Sequence, residues 1–134
     1  MQKSIDNGAA ALDERIKAIS VGVTFLGDFP DYVKVIGEYI NPILIAAEEK
    51  GIAREDMLKT LSYFDVKNFT GMIKCPVFMG SCLQDPTCPP HTVFAAYNNI
   101  TSPKEYIIVP EGKHDIWSRP AFIEGRSEFF KRFN

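Results

Sequence analysis

The side chains with the clearest capacity for chemistry are Asp85 and His114. Each stands just beyond a short apolar run: Asp85 after the run 75–83, and His114 after the run 105–109. If those runs are neighbouring strands of one parallel sheet, both loops leave at its carboxyl edge, where ligands of such sheets sit. A carboxylate placed there accepts the imidazole N–H, fixes the tautomer and stabilises the imidazolium, which makes the histidine a general base. The plainer alternatives are an aspartate before proline that only shapes a turn, and a solvated His114-Asp115 loop pair. His91, in Pro-Pro-His-Thr at a helix start, reads as surface decoration. A metal site built from Asp85, His91 and His114 matches no strong ligand spacing.

A nucleophile to accompany the pair is not legible. The 134 residues contain no Gly-x-Ser-x-Gly. Ser4 sits in Gln-Lys-Ser-Ile-Asp, without the flanking glycines that a sharp strand-to-helix turn needs.

The elements that must position Asp85 and His114 follow from patterning. Residues 9–15 read as the end of a helix, being rich in alanine and charged residues. Residues 17–25 are apolar and β-branched without alternation, which predicts a strand buried on both faces. Asp28 is placed to cap the next helix, with Pro30 in its first turn. Tyr32, Val35, Ile36 and Tyr39 recur at helical spacing over 31–50, with Pro42 as a break and Gly51 as a stop. Met57, Leu58 and Leu61 predict a short helix, and 62–72 an irregular connection. The second strand is 75–83, with Pro76 tolerable only near its start. A rigid loop over 85–90 leads to a helix at 90–99 with Val93, Phe94 and Tyr97 on one face. The third strand is 105–109. Pro120 opens a last helix whose apolar face is Phe122, Ile123, Phe129, Phe130 and Phe133. Strands alternating with helices predict an α/β fold: a three-layer, single domain over 1–134 with a small parallel sheet of about three strands.

Composition bounds the function. One domain fits 134 residues, and 46% hydrophobic with 24% charged residues is ordinary for a globular protein. A formal charge of -2 without any Lys/Arg run excludes the usual nucleic-acid and anionic-membrane footprints. Three cysteines (Cys75, Cys82, Cys88) are an odd number without a C-x-x-C, against a disulfide framework or zinc motif. Free thiols point to a reducing compartment, the cytoplasm. No apolar run at the N-terminus reads as a signal peptide, and none elsewhere approaches a membrane span.

At these residues the chain resembles the acetylxylan esterase / cephalosporin-C deacetylase family of the α/β-hydrolase superfamily. The resemblance is carried by Leu61-Ser-Tyr-Phe-Asp-Val-Lys-Asn68, Ile73-Lys-Cys-Pro-Val77, the long run from Leu83-Gln-Asp-Pro-Thr-Cys-Pro-Pro to Asn98, Lys104-Glu-Tyr106 and Gly112-Lys-His114, with 10–18 similar to the segment after the family's nucleophile helix. It runs over almost the whole chain and matches the C-terminal part of a full member. It implies that Asp85 is the triad acid and His114 the general base, with 88–97 shaping the site wall. It implies deacetylation of sugar substrates and cephalosporin-type antibiotics, with no metal or cofactor, by homo-oligomers. The family's serine lies in a Gly-x-Ser-Gln-Gly-Gly elbow, which the resemblance places just upstream of Met1. Its loop after the histidine is glycine-rich, where this chain has Asp115-Ile-Trp-Ser118.

Three expectations follow. The chain alone is a carboxylic-ester hydrolase fragment, weak or inactive, because proton transfer without attack and oxyanion stabilisation is only part of the reaction. Its alternatives are a hydrolase completed by another chain that brings the serine, and a non-catalytic binding or interaction module. The edge of strand 17–25 is unpaired, which favours a homodimer or higher oligomer through Lys17 to Phe25.

Overall fold

The computed structural model describes residues 3–133, with side chains from Asn7 onward. Eleven elements are described in chain order: α1 (Lys3–Leu12), β1 (Ile19–Val21), α2 (Phe29–Val35), α3 (Asn41–Glu48), α4 (Arg54–Leu61), α5 (Val66–Thr70), β2 (Val77–Cys82), α6 (Pro90–Asn99), β3 (Lys104–Val109), a 3₁₀ turn at Ile116–Ser118, and α7 (Pro120–Lys131). The strands form one parallel sheet in the order β1-β2-β3. Val77 stands opposite Ile19 on one side and Lys104 on the other. The α/β architecture expected from the alternation is present.

β2 is the central strand and is buried along its whole length. Its alternate side chains serve the two layers. Phe78, Gly80 and Cys82 face α7 and the 3₁₀ turn. Phe78 packs on Phe122 and Phe129 with ring centroids 5.6 and 5.7 Å away. Gly80 leaves the space that Phe122 fills, since a Cβ there would come within 2.7 Å of that ring. Met79 faces the opposite layer and touches the Thr24 hydroxyl, which in turn receives the Asn7 amide of α1 at 3.4 Å. A second, smaller core holds the helical excursion between β1 and β2: Phe29, Tyr32, Ile40 and Leu44 are buried there, with Met57, Leu58 and Leu61 against them.

Several expected boundaries move, each for a local reason. The first strand pairs only over Ile19–Val21, because the chain turns away at Gly22 and reaches positive φ at Leu26 and Asp28. Val23 and Thr24 stay buried without joining the ladder. The helix expected over 31–50 is two helices, but the break is Gly37 (φ 65°) rather than Pro42. Pro42 lies in the first turn of α3, where a missing N–H costs nothing. Gly51 is the stop, with φ 77°.

The stretch 62–72 is not wholly irregular. Asp65 caps α5 by accepting the Lys67 N–H at 3.0 Å. The same carboxylate accepts the Asp28 and Phe29 N–H groups at 2.9 and 2.8 Å, so it also caps α2. Asp28 makes no cap bond of its own. Its carboxylate receives the Lys67 ammonium at 2.7 Å. On α7, Phe122 and Phe129 are buried as expected, whereas Ile123 is exposed, as is Phe133 beyond the helix end.

Among the described residues, β1 has no strand on its outer side. A groove of about 300 Å³ runs along that edge, lined by Ala9, Ile16, Ala18, Ile19, Ser20 and Phe130. No helix among the described residues is long and apolar enough to cross a membrane.

Candidate active site

Asp85 stands three residues beyond β2, and His114 five beyond β3. Two backbone bonds tie the loops together past the strand ends: Leu83 N–H to the Val109 carbonyl at 3.2 Å, and Gln84 N–H to the Gly112 carbonyl at 3.0 Å. Both loops therefore leave at the same edge of the sheet, as the sequence predicts.

Asp85 accepts the Thr87 and Cys88 N–H groups on Oδ1, both at 2.8 Å. Those bonds fold the Pro-rich loop back on itself and aim the carboxylate at His114. The His114 Nδ1 lies 3.0 Å from Oδ1 and 2.9 Å from Oδ2. The Asp85 side chain is wholly buried, while that of His114 is 36% exposed. A buried carboxylate with this partner favours the tautomer that carries its proton on Nδ1, leaving Nε2 with a lone pair. The turn expected at Asp85 is present, and its bonds are also what orient the carboxylate toward His114.

The two other readings of this region separate cleanly. Asp115 does not pair with His114. It receives Arg119 at 2.6 Å and the Lys113 N–H at 3.0 Å. Burial opposes its charge, but the Arg119 guanidinium and these hydrogen bonds outweigh it and hold the carboxyl below its ordinary range. His91 pairs with Asp31 at 3.2 Å, with both side chains half-exposed. The metal set Asp85, His91 and His114 is therefore not assembled. Ser4 falls within α1, but its side chain lies outside the described residues.

Trp117 and Tyr32 were not legible as site residues, and Cys88 was read only as the start of the 88–97 wall. The Cys88 ligand atom, with those of Asp85 and His114, lies in a cluster in which all are within 4.8 Å of one another. The i, i+3 spacing from Asp85 was a signal for it, since an aspartate turn of this kind brings that residue back. Trp117 sets its ring edge-on to the His114 imidazole, with centroids 5.5 Å apart and planes at 73°. It can do so because Gly22 faces it: a Cβ at Gly22 would lie 2.1 Å from Nε1. Tyr32, fully buried, has a hydroxyl without a hydrogen-bond partner among the described residues. Burial, with the negative character of Cys88, Tyr39, Glu38 and Asp85, pushes its phenol up to about 12.

The sequence pattern of the acetyl xylan esterase (AXE1) family matches residues 4–132. The chain belongs to the acetyl xylan esterase family. It is 33% identical over 106 residues to the acetyl esterase Axe7A of Xylanibacter ruminicola, covering 78% of this chain and 23% of that protein. The acetyl xylan esterase from Paenibacillus sp. R4 superposes with a TM-score of 0.86 at 33% identity, over 96% of this chain and 42% of the other. The α/β hydrolase GrgF from Penicillium sp. sh18, at 17% identity and a TM-score of 0.64 over 96% of this chain and 60% of the other, shares the fold. The chain thus spans about a quarter of the curated relative's length and under half of the Paenibacillus enzyme's. Asp85 and His114 sit in the α/β-hydrolase fold of an acetyl xylan esterase family member, three and five residues past successive parallel strands.

Two outcomes test these surroundings. Gly22→Ala is expected to push Trp117 off the His114 ring at a cost of about 1–3 kcal/mol, typical of a forced overpacking. Because Trp117 is the only tryptophan, its emission maximum and quenching report the displacement directly, and urea unfolding gives the stability. Tyr32→Phe is expected to leave stability at neutral pH unchanged or raise it by up to about 1–3 kcal/mol, since it removes an unpaired buried hydroxyl. At high pH the sign is fixed by linkage. From the ordinary phenol value of 10.0 up to about 12, the unfolded chain has lost this proton and the folded chain has not. Stability present below pH 10.0 is therefore lost on rising through that window, and Tyr32→Phe flattens the loss in alkaline unfolding curves.

Proposed function

We propose that this chain supplies the acid–histidine half of a serine-type ester hydrolase that removes acetyl groups from acetylated sugars or small acetyl esters such as cephalosporin-type antibiotics. The observation that carries the reading is the buried Asp85 carboxylate held 2.9 Å from His114 Nδ1. In that arrangement Asp85 keeps the proton on Nδ1, and Nε2 takes the proton of an attacking serine hydroxyl. The imidazolium then returns it to the leaving alkoxide, with Asp85 stabilising the charge throughout. The 134 residues carry no Gly-x-Ser-x-Gly, and in this proposal the serine and the oxyanion donors are brought by another segment or chain. Proton transfer alone is worth about 10²–10⁴-fold, so these residues by themselves are a weak or inactive esterase.

Hydrolysis of p-nitrophenyl acetate by the purified chain, with Ser4→Ala and His114→Ala beside it, tests the reading. Turnover that depends on His114 and not on Ser4 supports a nucleophile brought by another segment or chain. Turnover that survives His114→Ala overturns the proposed role of the histidine. No turnover in any variant is the result expected of an isolated acid–histidine half, and favours a fragment or a non-catalytic binding module.

The unpaired outer edge of β1 supports a second part of the proposal. Its unpaired edge and the groove along it favour association of two copies through the region Lys17 to Phe25. Sedimentation of the chain at high concentration is expected to show dimers or larger species, and a strictly monomeric profile counts against it.

A further inference from the structure

We infer that Asp85, Cys88 and His114 form a binding site for a thiophilic divalent cation, Zn²⁺ by its donor set, and that the bound ion takes the histidine out of use as a base. The ion site stands on the donor geometry alone, whereas the loss of the base rests on the role proposed for His114.

The three ligand atoms lie within 4.8 Å of one another. Zinc binds sulfur at about 2.3 Å and nitrogen or oxygen at about 2.0–2.2 Å, so two ligands of one tetrahedral ion stand roughly 3–4 Å apart. Closing that difference is left to rotations of the three side chains, of which His114 is the most exposed. The mixture of thiol, imidazole and carboxylate selects zinc over magnesium or calcium, which prefer oxygen alone.

Oδ1 of Asp85 accepts the Thr87 and Cys88 N–H groups and stands 3.0 Å from His114 Nδ1, while Oδ2 stands 2.9 Å from the same nitrogen. An ion entering between Oδ2 and Nδ1 takes the place of the shared proton, and the turn stays intact. Cys88 and Asp85 come from one short loop bounded by Pro86, Pro89 and Pro90, which limits the entropy lost on binding. Both are buried, while the more exposed His114 gives an ion a way in.

The protons balance simply. The Cys88 thiol releases one proton to solvent as the sulfur–metal bond forms. The His114 proton moves from Nδ1 to Nε2, so Nδ1 binds the ion as neutral imidazole. Thiolate and carboxylate together cancel the charge of the dication. With Nε2 protonated, His114 has no lone pair left for a substrate proton.

The test uses cobalt(II) and zinc(II) salts added to the purified chain. Cobalt(II) is expected to produce a thiolate-to-metal charge-transfer absorption that saturates at one equivalent and disappears when zinc is added. The band should be lost in Cys88→Ala and kept in Cys75→Ala and Cys82→Ala. No band in the wild-type chain, or one that persists in Cys88→Ala, overturns the site. Should Cys88→Ala fail to fold, His114→Ala decides by calorimetry. Zinc affinity about tenfold or more weaker supports the site, in line with losses seen even for groups that only support a ligand. Unchanged affinity rejects it.

Discussion

In whichever assembly this chain hydrolyses acetyl esters, Asp85→Asn is expected to lower kcat about 10⁴-fold while the fold survives. The asparagine oxygen can keep the bonds from the Thr87 and Cys88 N–H groups, because those fall on one atom of the native carboxylate. The amide nitrogen then faces His114 Nδ1, where the wild type has an acceptor at 2.9 Å. The one acceptor left for Nδ1–H is the oxygen 3.0 Å away, already shared by two backbone N–H groups, so the tautomer with its proton on Nε2 gains and the base is weakened. The negative charge that stabilises the imidazolium also goes. Turnover of p-nitrophenyl acetate measures the loss, and an unchanged circular dichroism spectrum and urea midpoint separate it from unfolding. Wild-type turnover in folded Asp85→Asn would remove Asp85 from the reaction altogether.

The largest stability effect is expected at Phe122. Phe122→Ala should cost about 3–5 kcal/mol, the range for emptying a buried aromatic site. The ring is 1% exposed, stacks at a tilt on Phe78 and fills the notch over Gly80. Its loss detaches the start of α7 from the central strand, just after the turn that carries Trp117. Much of a small domain's total stability lies within that cost, so the unfolding midpoint in urea should fall sharply. Gly80→Ala is expected to cost less in this background than in the wild type, since its clash with the ring is gone while the 2.8 Å approach to Ile116 Cγ1 remains. Strictly additive costs for the two changes would mean that ring and glycine are not coupled.

The layout of the fold was legible because it is written in local patterns. Apolar β-branched runs mark β2 and β3, Pro90 and Pro120 open α6 and α7, and Gly51 closes α3 at a positive φ. The errors arose where a distant residue overrules a local signal. Pro42 looks like a helix breaker, yet Gly37 had already ended α2. The stretch 62–72 has little apolar periodicity, but Asp65 nucleates α5 while also capping α2, more than 30 residues earlier in the chain. The first strand is cut short at Gly22, against which a tryptophan from the far end of the chain packs.

The candidate site divides along the same line. Sequence alone determined that a carboxylate and an imidazole follow successive parallel strands, because residue order and strand patterning force both loops to one edge. It also determined the family, through runs such as Leu83 to Asn98. Tertiary structure decided that Asp85 and His114, 29 residues apart, meet at hydrogen-bond distance, that Cys88 closes on both, and that Trp117 leans on His114 through the gap at Gly22. The physical reason is that periodicity and turn chemistry reach only a few residues along the chain. The packing of one loop against another is set by the whole sheet and the layers that cover it.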